Sequence, residues 1–466
     1  MNQHANIDRM IWSLMTGEKT IISSYRRHIE PDLIQAAEPR AVLFWTLDHF
    51  DNHGSSPGID EITHRVDALS GDAKDTKQKQ RAARVEDYVG HLINNYMDRP
   101  LDPDRSSHVT RETLNQLRVA DIQRQVDQME ERGQSARAAR LLEQFEQIPP
   151  ISKPFINLNG AEGYRFPRTG QSMFDMGDDL GRFFGDVIQR KRLLSLMGPE
   201  KRGKSFWLLE FAYRAFLAGY RVAIWSVGDM DEFDFRERWA SRLTGRPDTD
   251  QRVSIPGGCE VDVPKTGHKT HARTVASANR KMKSWTPEEV AKEQKRIERS
   301  HKVKRPDDTL IRFYEEPMMS ITAAEISSEM ESASYGGWDV DVVVIDYADI
   351  LAPATGKSDE RAEINDTWMT LRKMSQVLNA CVVTATQTDT PSYDVHTMTM
   401  KNFTGDKRKL SHVFGMIGLN QTEDEKADDA MRLNWVVRRK GKFTQTQCVH
   451  VSGCRAIGNI AMHSKL

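Results

Sequence analysis

The octet GPEKRGKS, residues 198 to 205, fits the pattern G-x-x-x-x-G-K-S, and its flanks decide what it means. Upstream, RLLSLMG from Arg192 is a short continuous apolar run of the kind that forms a buried strand. Downstream, Phe206 to Phe216 carries apolar residues around much of a helix, and Gly219 ends it before a second strand-like run, Tyr220 to Val227. Strand, glycine-rich turn and helix in that order aim backbone N–H groups at one point, which suits the β-phosphate of a nucleotide. The bland alternative is an ordinary glycine turn between strand and helix. On the first reading Gly198, Pro199, Glu200, Lys201, Arg202, Gly203, Lys204, Ser205 and Phe206 form the nucleotide-binding segment. Lys204 would reach the β and γ oxygens and Ser205 would bind Mg²⁺, so ATP and Mg²⁺ are the expected cofactors.

A second carboxylate-bearing segment supports this reading. WDVDVVVIDYADIL ends a run of apolar residues in Asp346, at the C-terminal edge of a strand, where ligands of open α/β sheets gather. Asp346 is therefore the expected acidic partner of Ser205 at the metal. After the strand that ends at Val227, Asp229 is the first carboxylate and the candidate for activating water, with Asp231 as its competitor. A third strand-like run, ACVVTATQTDT, brings Gln387 to the same edge, where an amide can report the presence of a γ-phosphate.

The 466 residues leave room for about two to four domains. Lysine plus arginine number 66 against 67 aspartate plus glutamate, so the net charge excludes no partner and local segregation matters instead. No run of 18 apolar residues occurs, and MNQHANIDRM lacks a signal-peptide core, so no membrane partner is expected. Cys259, Cys381, Cys448 and Cys454 form no C-x-x-C pair, and a reducing cytoplasm is the expected home.

Along the chain, residues 1–108 read as a helical scaffold or interaction domain and 109–164 as a helical linker and loop. Residues 165–466 read as an α/β domain with a mostly parallel mixed sheet. Strands are expected at 192–197, 221–227, 310–314, 340–346, 380–386, 412–420, 432–438 and 446–452. An insertion at about 245–308 breaks the pattern. Its first part is turn-like, and its second contains a basic helix beginning near TPEEV with Thr286 as N-cap. His268 and His271 lack enough partners for a metal site.

GPEKRGKS, WSVGDM, VVVIDYADIL, VVTATQTD and NWVVRRKGKFTQ, in this order, resemble the ATPase domain of DnaB-type replicative hexameric helicases, of the phage or plasmid kind, within the RecA-like superfamily. The resemblance covers about 165 to 455. It implies a RecA-like ATPase domain, Lys204 and Ser205 on phosphate and Mg²⁺, Asp346 at the metal, Asp229 in place of the catalytic glutamate and Gln387 as phosphate sensor. It also implies that Arg438 and Lys440 form the basic pair that reaches a neighbouring subunit's site. Two departures stand out: Asp229 is one methylene shorter than glutamate, and Lys440 replaces an arginine fork. The polar segment Asp389 to Leu410 contains Lys401 and ends in Lys407, Arg408 and Lys409. In the resembling helicases a loop at this place lines the central pore, so these four residues are the expected contacts to single-stranded DNA.

The expected function is that of a ring-forming, ATP-driven helicase or translocase on single-stranded DNA, a homo-hexamer with a primase or loader as further partner. Two alternatives remain open on the sequence: a RecA-like DNA-binding ATPase in recombination or helicase loading that does not unwind, and a nucleotide-binding scaffold without a DNA role.

Overall fold

The computed structural model describes residues 3–17, 19–97, 103–132, 134–143, 145, 147–148, 172–228, 230–263, 270–301, 303, 309–335, 338–354, 360–388, 392, 395–402 and 408–466. The chain divides near residue 166 into two compact units.

In the N-terminal unit seven α-helices follow one another among the described residues: α1 Gln3–Thr16, α2 Lys19–Tyr25, α3 Ala37–His53, α4 Gly58–Gly71, α5 Thr76–Tyr96, α6 Pro103–Glu131 and α7 Ser135–Glu143. The apolar faces of α1 to α6 meet in one core that includes Met10, Ile11, Leu14, Val42, Leu43, Ile62, Val85 and Leu92, and α7 packs on α6. Chain punctuation sets the helix ends. Asp75 caps α5 by accepting from Gln78 N at 2.8 Å, and Gly54 ends α3 in the left-handed region. The first half of α6 joins this core through Leu114 and Leu117, with Asn6 donating to Gln116 at 3.1 Å. Its second half is largely exposed, as the sparse apolar positions of that stretch require.

The C-terminal unit is built on a nine-stranded sheet. Its strands are β1 Arg192–Met197, β2 Val222–Val227, β7 Ile311–Glu316, β8 Val342–Asp346, β9 Cys381–Thr386, β10 Gly415–Asn420, β11 Ala430–Arg438, β12 Cys448–Cys454 and β13 Asn459–Lys465. Across the sheet they run β13-β12-β11-β10-β1-β9-β8-β2-β7. The stretch from β10 to β7 is parallel, and β11, β12 and β13 continue it antiparallel. The helices are α8 Asp178–Phe184, α9 Lys204–Leu217, α10 Glu232–Thr244, α11 Pro287–Ser300, α12 Ala323–Tyr335, α13 Glu360–Val377, α14 Lys409–His412 and α15 Glu423–Ala427. β1, β2, β8 and β9 are almost wholly buried, which is why they read as unbroken apolar runs rather than alternating ones. A helical region is followed by a mixed, largely parallel sheet flanked by helices, consistent with the α/β fold expected from the sequence.

Two strand-forming regions escaped the sequence reading. β13 closes the antiparallel edge beyond the last expected strand. The insertion, expected to be turn-like, forms β3 Gln251–Ile255, β4 Gly258–Asp262, β5 His271–Val275 and β6 Ala278–Met282, paired β3 with β6 and β4 with β5. Pro256 and Gly257 only interrupt this pairing, since Gly257 N donates to Val275 O at 3.0 Å. The helix at TPEEV is present as α11, with Thr286 and Glu289 in a reciprocal capping box. The expected basic character does not belong to α11 itself: Pro287–Ser300 carries four glutamates against four lysines and arginines, and its Arg296 pairs with Glu293 at 2.7 Å.

Candidate nucleotide site

Strand register gathers the expected residues at one edge of the sheet. Met197, the last residue of β1, stands beside Thr386 of β9 and Gly418 of β10. On the far side of β9, Ile345 stands beside Thr384, so Asp346 emerges at the same edge. Asp346 thus ends β8, and Gly198 and Gln387 follow the C-terminal ends of the neighbouring β1 and β9, all parallel. Gly203, at the N-terminus of α9, has φ of +79°, a conformation that leaves the turn open only to glycine without strain. Gly198 sits against Leu419, where an added Cβ would come within 3.3 Å of the leucine Cβ.

Lys204 is 7% exposed and its ammonium turns back onto the loop, donating to Gly198 O at 3.2 Å and Pro199 O at 2.9 Å. Its Nζ also lies 5.7 Å from the centre of the Tyr347 ring. Glu200 and Lys201 are exposed, whereas Arg202 is buried and donates to Gln421 O. Ser205 is the second residue of α9, and α9 packs against β8, the strand that carries Asp346. Phe206 lies under the Arg238 guanidinium at 4.9 Å and, with Arg202 and Gly203, lines a cavity of about 30 Å³ beside the loop.

Two residues that the sequence reading passed over, with a lysine expected elsewhere, tie this edge together. Tyr347 accepts from Gln387 Nε2 at 2.5 Å while its ring faces Lys204. Asp349, two residues further on, accepts from Thr386 Oγ1 at 2.7 Å and from the Gln387 backbone at 3.1 Å. Its other oxygen takes the ammonium of Lys409 at 2.7 Å. Lys409 is only 2% exposed, so one of the expected DNA contacts has its charge turned into the protein. Lys401 and Arg408 are exposed, and Lys407 lies outside the described residues. Residues 395–402 are pinned to β10 and β11. Met398 N donates to Asn420 Oδ1 at 2.7 Å, Asn434 Nδ2 to Met398 O at 2.9 Å, and Arg432 Nη1 to His396 O at 2.8 Å.

Asp229 lies outside the described residues. Its competitor Asp231 caps α10, accepting from Asp234 N at 2.7 Å. Next to them, Gly228 has φ of +87° and abuts Met318, whose backbone nitrogen would stand 3.0 Å from an added Cβ.

Arg438 and Lys440 are not at this edge. Arg438 stands opposite Gly415, which opens β10, while the phosphate loop begins beyond the other end of the neighbouring strand. From the row of Leu194, level with Gly415, to Gly198 is about 13 Å along the strand. Both cations instead converge on Asp186, Lys440 at 2.8 Å and Arg438 at 3.7 Å. The hydrogen bond from Lys440, helped by the charges of both cations and outweighing burial, holds the Asp186 carboxyl below its ordinary range.

A seryl hydroxyl and a carboxylate are the hard oxygen donors that Mg²⁺ takes, and the glycine turn with an inward lysine suits a polyphosphate, so the residues present fit a magnesium nucleotide. Among the described residues no cluster of three or more His, Cys, Asp or Glu is placed to hold a metal on protein ligands alone.

No protein family matches the chain in sequence, and no curated protein does. Among solved structures it is similar to one described as a DnaB-like replicative helicase and its interactions with primase, at 12% identity and a TM-score of 0.49 over 98% of each chain. It is also similar to a second solved structure, described as an ATPase domain, at 13% identity and a TM-score of 0.44, over 59% of this chain and 86% of that one. No helix among the described residues is long and apolar enough to cross a membrane.

Proposed function

We propose that the chain is an ATP hydrolase of the RecA-like kind that works between subunits of a homo-oligomer, in the first instance a hexameric ring, and moves on single-stranded DNA. The observation that carries the ATPase reading is Tyr347, which stands between the phosphate-loop lysine and Gln387 at the edge where Asp346 emerges. On this reading Lys204 exchanges its two loop carbonyls for β- and γ-phosphate oxygens. Mg²⁺, held by Ser205 and Asp346, would supply charge neutralisation at the transferring phosphoryl group. Asp229 orients water, and Gln387 bonds to the γ-phosphate by leaving the Tyr347 hydroxyl.

The position of Arg438 and Lys440 favours work in trans. They sit at the opposite edge of their own sheet from the phosphate loop, so only another subunit's nucleotide can meet them. Asp186 would hold them ready until then. Mixing Arg438→Ala chains with Lys204→Ala chains tests this. Each variant alone should be inactive, and the mixture should regain part of the ATP turnover because some interfaces combine an intact loop with an intact finger. A mixture as inactive as its parts, when unaltered chains exchange freely, would falsify the in-trans assignment.

The segment between Gln387 and Lys409 is the proposed route from nucleotide to DNA. Both of its ends are bonded to the stretch 347–349, so a change at Gln387 is passed to Lys401, Lys407 and Arg408. A primase or loader is a further proposed partner, and the three-part division at 108/109 and 164/165 is proposed with it. Images of the protein with an ATP analogue and single-stranded DNA distinguish the assemblies. Closed six-fold rings with DNA in the pore support the reading, and open filaments would replace it with a RecA-like ATPase that does not unwind.

A further inference from the structure

The two short ribbons of the insertion share one register, Ile255 opposite Ala278 and Gly258 opposite Val275, and are separated by a kink at Pro256 and Gly257. The β3–β6 ribbon is fastened on one face. Val253 is 2% exposed in a cluster with Cys454 and Ile457, and Ile255 and Met282 pack against it. Alternation then sends Arg252, Ser254, Asn279 and Lys281 to the other face, and all four are exposed. Lys283 continues that parity one step beyond the strand and is exposed too.

On this face Arg252 stands directly opposite Lys281. Like charges across an antiparallel pair are destabilising, and the neighbouring ribbon avoids them, with Glu260 opposite Arg273 and Asp262 opposite His271. Among the described residues Arg252, Lys281 and Lys283 have no ion-pair partner. Asp250, which this register sets opposite Lys283, is turned to Ser284, accepting from its N at 2.8 Å and its Oγ at 3.1 Å; those bonds, with the Lys283 and Lys281 charges, hold its carboxyl below its ordinary range, so one carboxylate stands among three cations. A fixed ribbon that stacks cations outward without ion-pair partners is matched to a polyanion.

We infer that the outer face of the β3–β6 ribbon is a contact for a nucleic-acid phosphate backbone, distinct from the segment 389–410. Arg252, Lys281 and Lys283 take phosphates, and the small polar Ser254 and Asn279 between them leave room for the backbone to approach. An acidic protein partner is a poorer fit, because this face carries no aromatic or aliphatic anchor of the kind that dominates protein interfaces. The inference needs no ATP hydrolysis and stands apart from the function proposed above.

The test is a titration of the full chain, without nucleotide, against a fluorescent single-stranded oligonucleotide and a duplex at several salt concentrations. The Arg252→Gln, Lys281→Gln, Lys283→Gln triple variant should bind more weakly, with a salt slope smaller by about 2 on single strands, from ~0.7 per lost phosphate contact, or by ~2.7 on duplex. A change confined to one substrate identifies the source of the phosphates. Ser254→Lys with Asn279→Lys, which adds charge to the same exposed face, should move affinity and slope the opposite way. Unchanged affinity and slope on both substrates for both variants overturns the inference, and that is also the outcome if the ribbon serves an acidic protein.

Discussion

Lys204 is placed by α9 with its ammonium on two carbonyls of its own loop, so an arriving phosphate replaces contacts rather than building a site from nothing. Tyr347 adds the link to Gln387, and its two roles separate by substitution. Tyr347→Phe keeps the ring beside Lys204 and removes the hydroxyl, one hydrogen bond worth about 0.5–1.5 kcal/mol, so ATP turnover should change by roughly 2- to 10-fold. A larger loss in steady-state turnover would give the hydroxyl a part in the chemistry itself. Arg432 presents a different case at the same scale. It is fully buried and bidentate to Glu425 at 2.6 and 2.9 Å. Burial works to raise the Glu425 carboxyl, but the guanidinium outweighs it and holds the group below its ordinary range. Arg432→Met should cost about 3–5 kcal/mol in denaturant unfolding because it strands a buried carboxylate, and adding Glu425→Leu should restore part of it. Equal losses in single and double variants would contradict that account.

At the scale of elements, the segment from Gln387 to Lys409 is defined by its ends. Lys409 and Asp349 are 60 residues apart in sequence and bonded inside the protein. Lys409→Met removes that tie while Asp349 keeps Thr386 Oγ1 and the Gln387 amide as donors. DNA-stimulated ATP turnover should fall toward the unstimulated rate, and turnover without DNA should persist. Stimulation equal to that of the unaltered protein would detach this segment from the nucleotide site. Legibility in the sequence follows the same division. The placement of the phosphate loop, Asp346 and Gln387 at strand ends could be read because each sits in a pattern carried by a dozen contiguous residues. Tyr347, Asp349 and Lys409 could not, because their roles depend on partners many residues away. GDKRKL looks like an exposed basic turn, and nothing in the hexapeptide says that its last lysine turns inward. The insertion was misread for a local reason, since Pro256, Gly257 and Gly258 signal a turn whether or not the strands on either side continue in register.

At the scale of the whole molecule, acid stability reports how the insertion and the antiparallel strands are joined. Burial first, then the Arg432 charge, pushes His396 down to about 4, and its Nε2 lies 2.9 Å from Thr270 O. Its folded pKa is below the unfolded value of about 6.5, so this neutral imidazole contributes fully above that value. As pH falls from about 6.5 toward 4, the unfolded chain takes up a proton that the folded one refuses, and stability is lost. The Tm of His396→Gln should therefore fall less steeply over that window than the Tm of the unaltered protein, and parallel curves would remove His396 from the account. The central claim, that the edge built from Gly198, Lys204, Ser205, Asp346 and Gln387 hydrolyses a nucleotide, is tested most directly by steady-state ATP turnover with Mg²⁺ for the unaltered chain and for Lys204→Ala. The account predicts Mg²⁺-dependent turnover that falls on the order of a hundredfold or more in the variant, with its circular dichroism and melting curve unchanged. Turnover by the variant equal to that of the unaltered chain, or no nucleotide binding and no turnover by the unaltered chain, would contradict it.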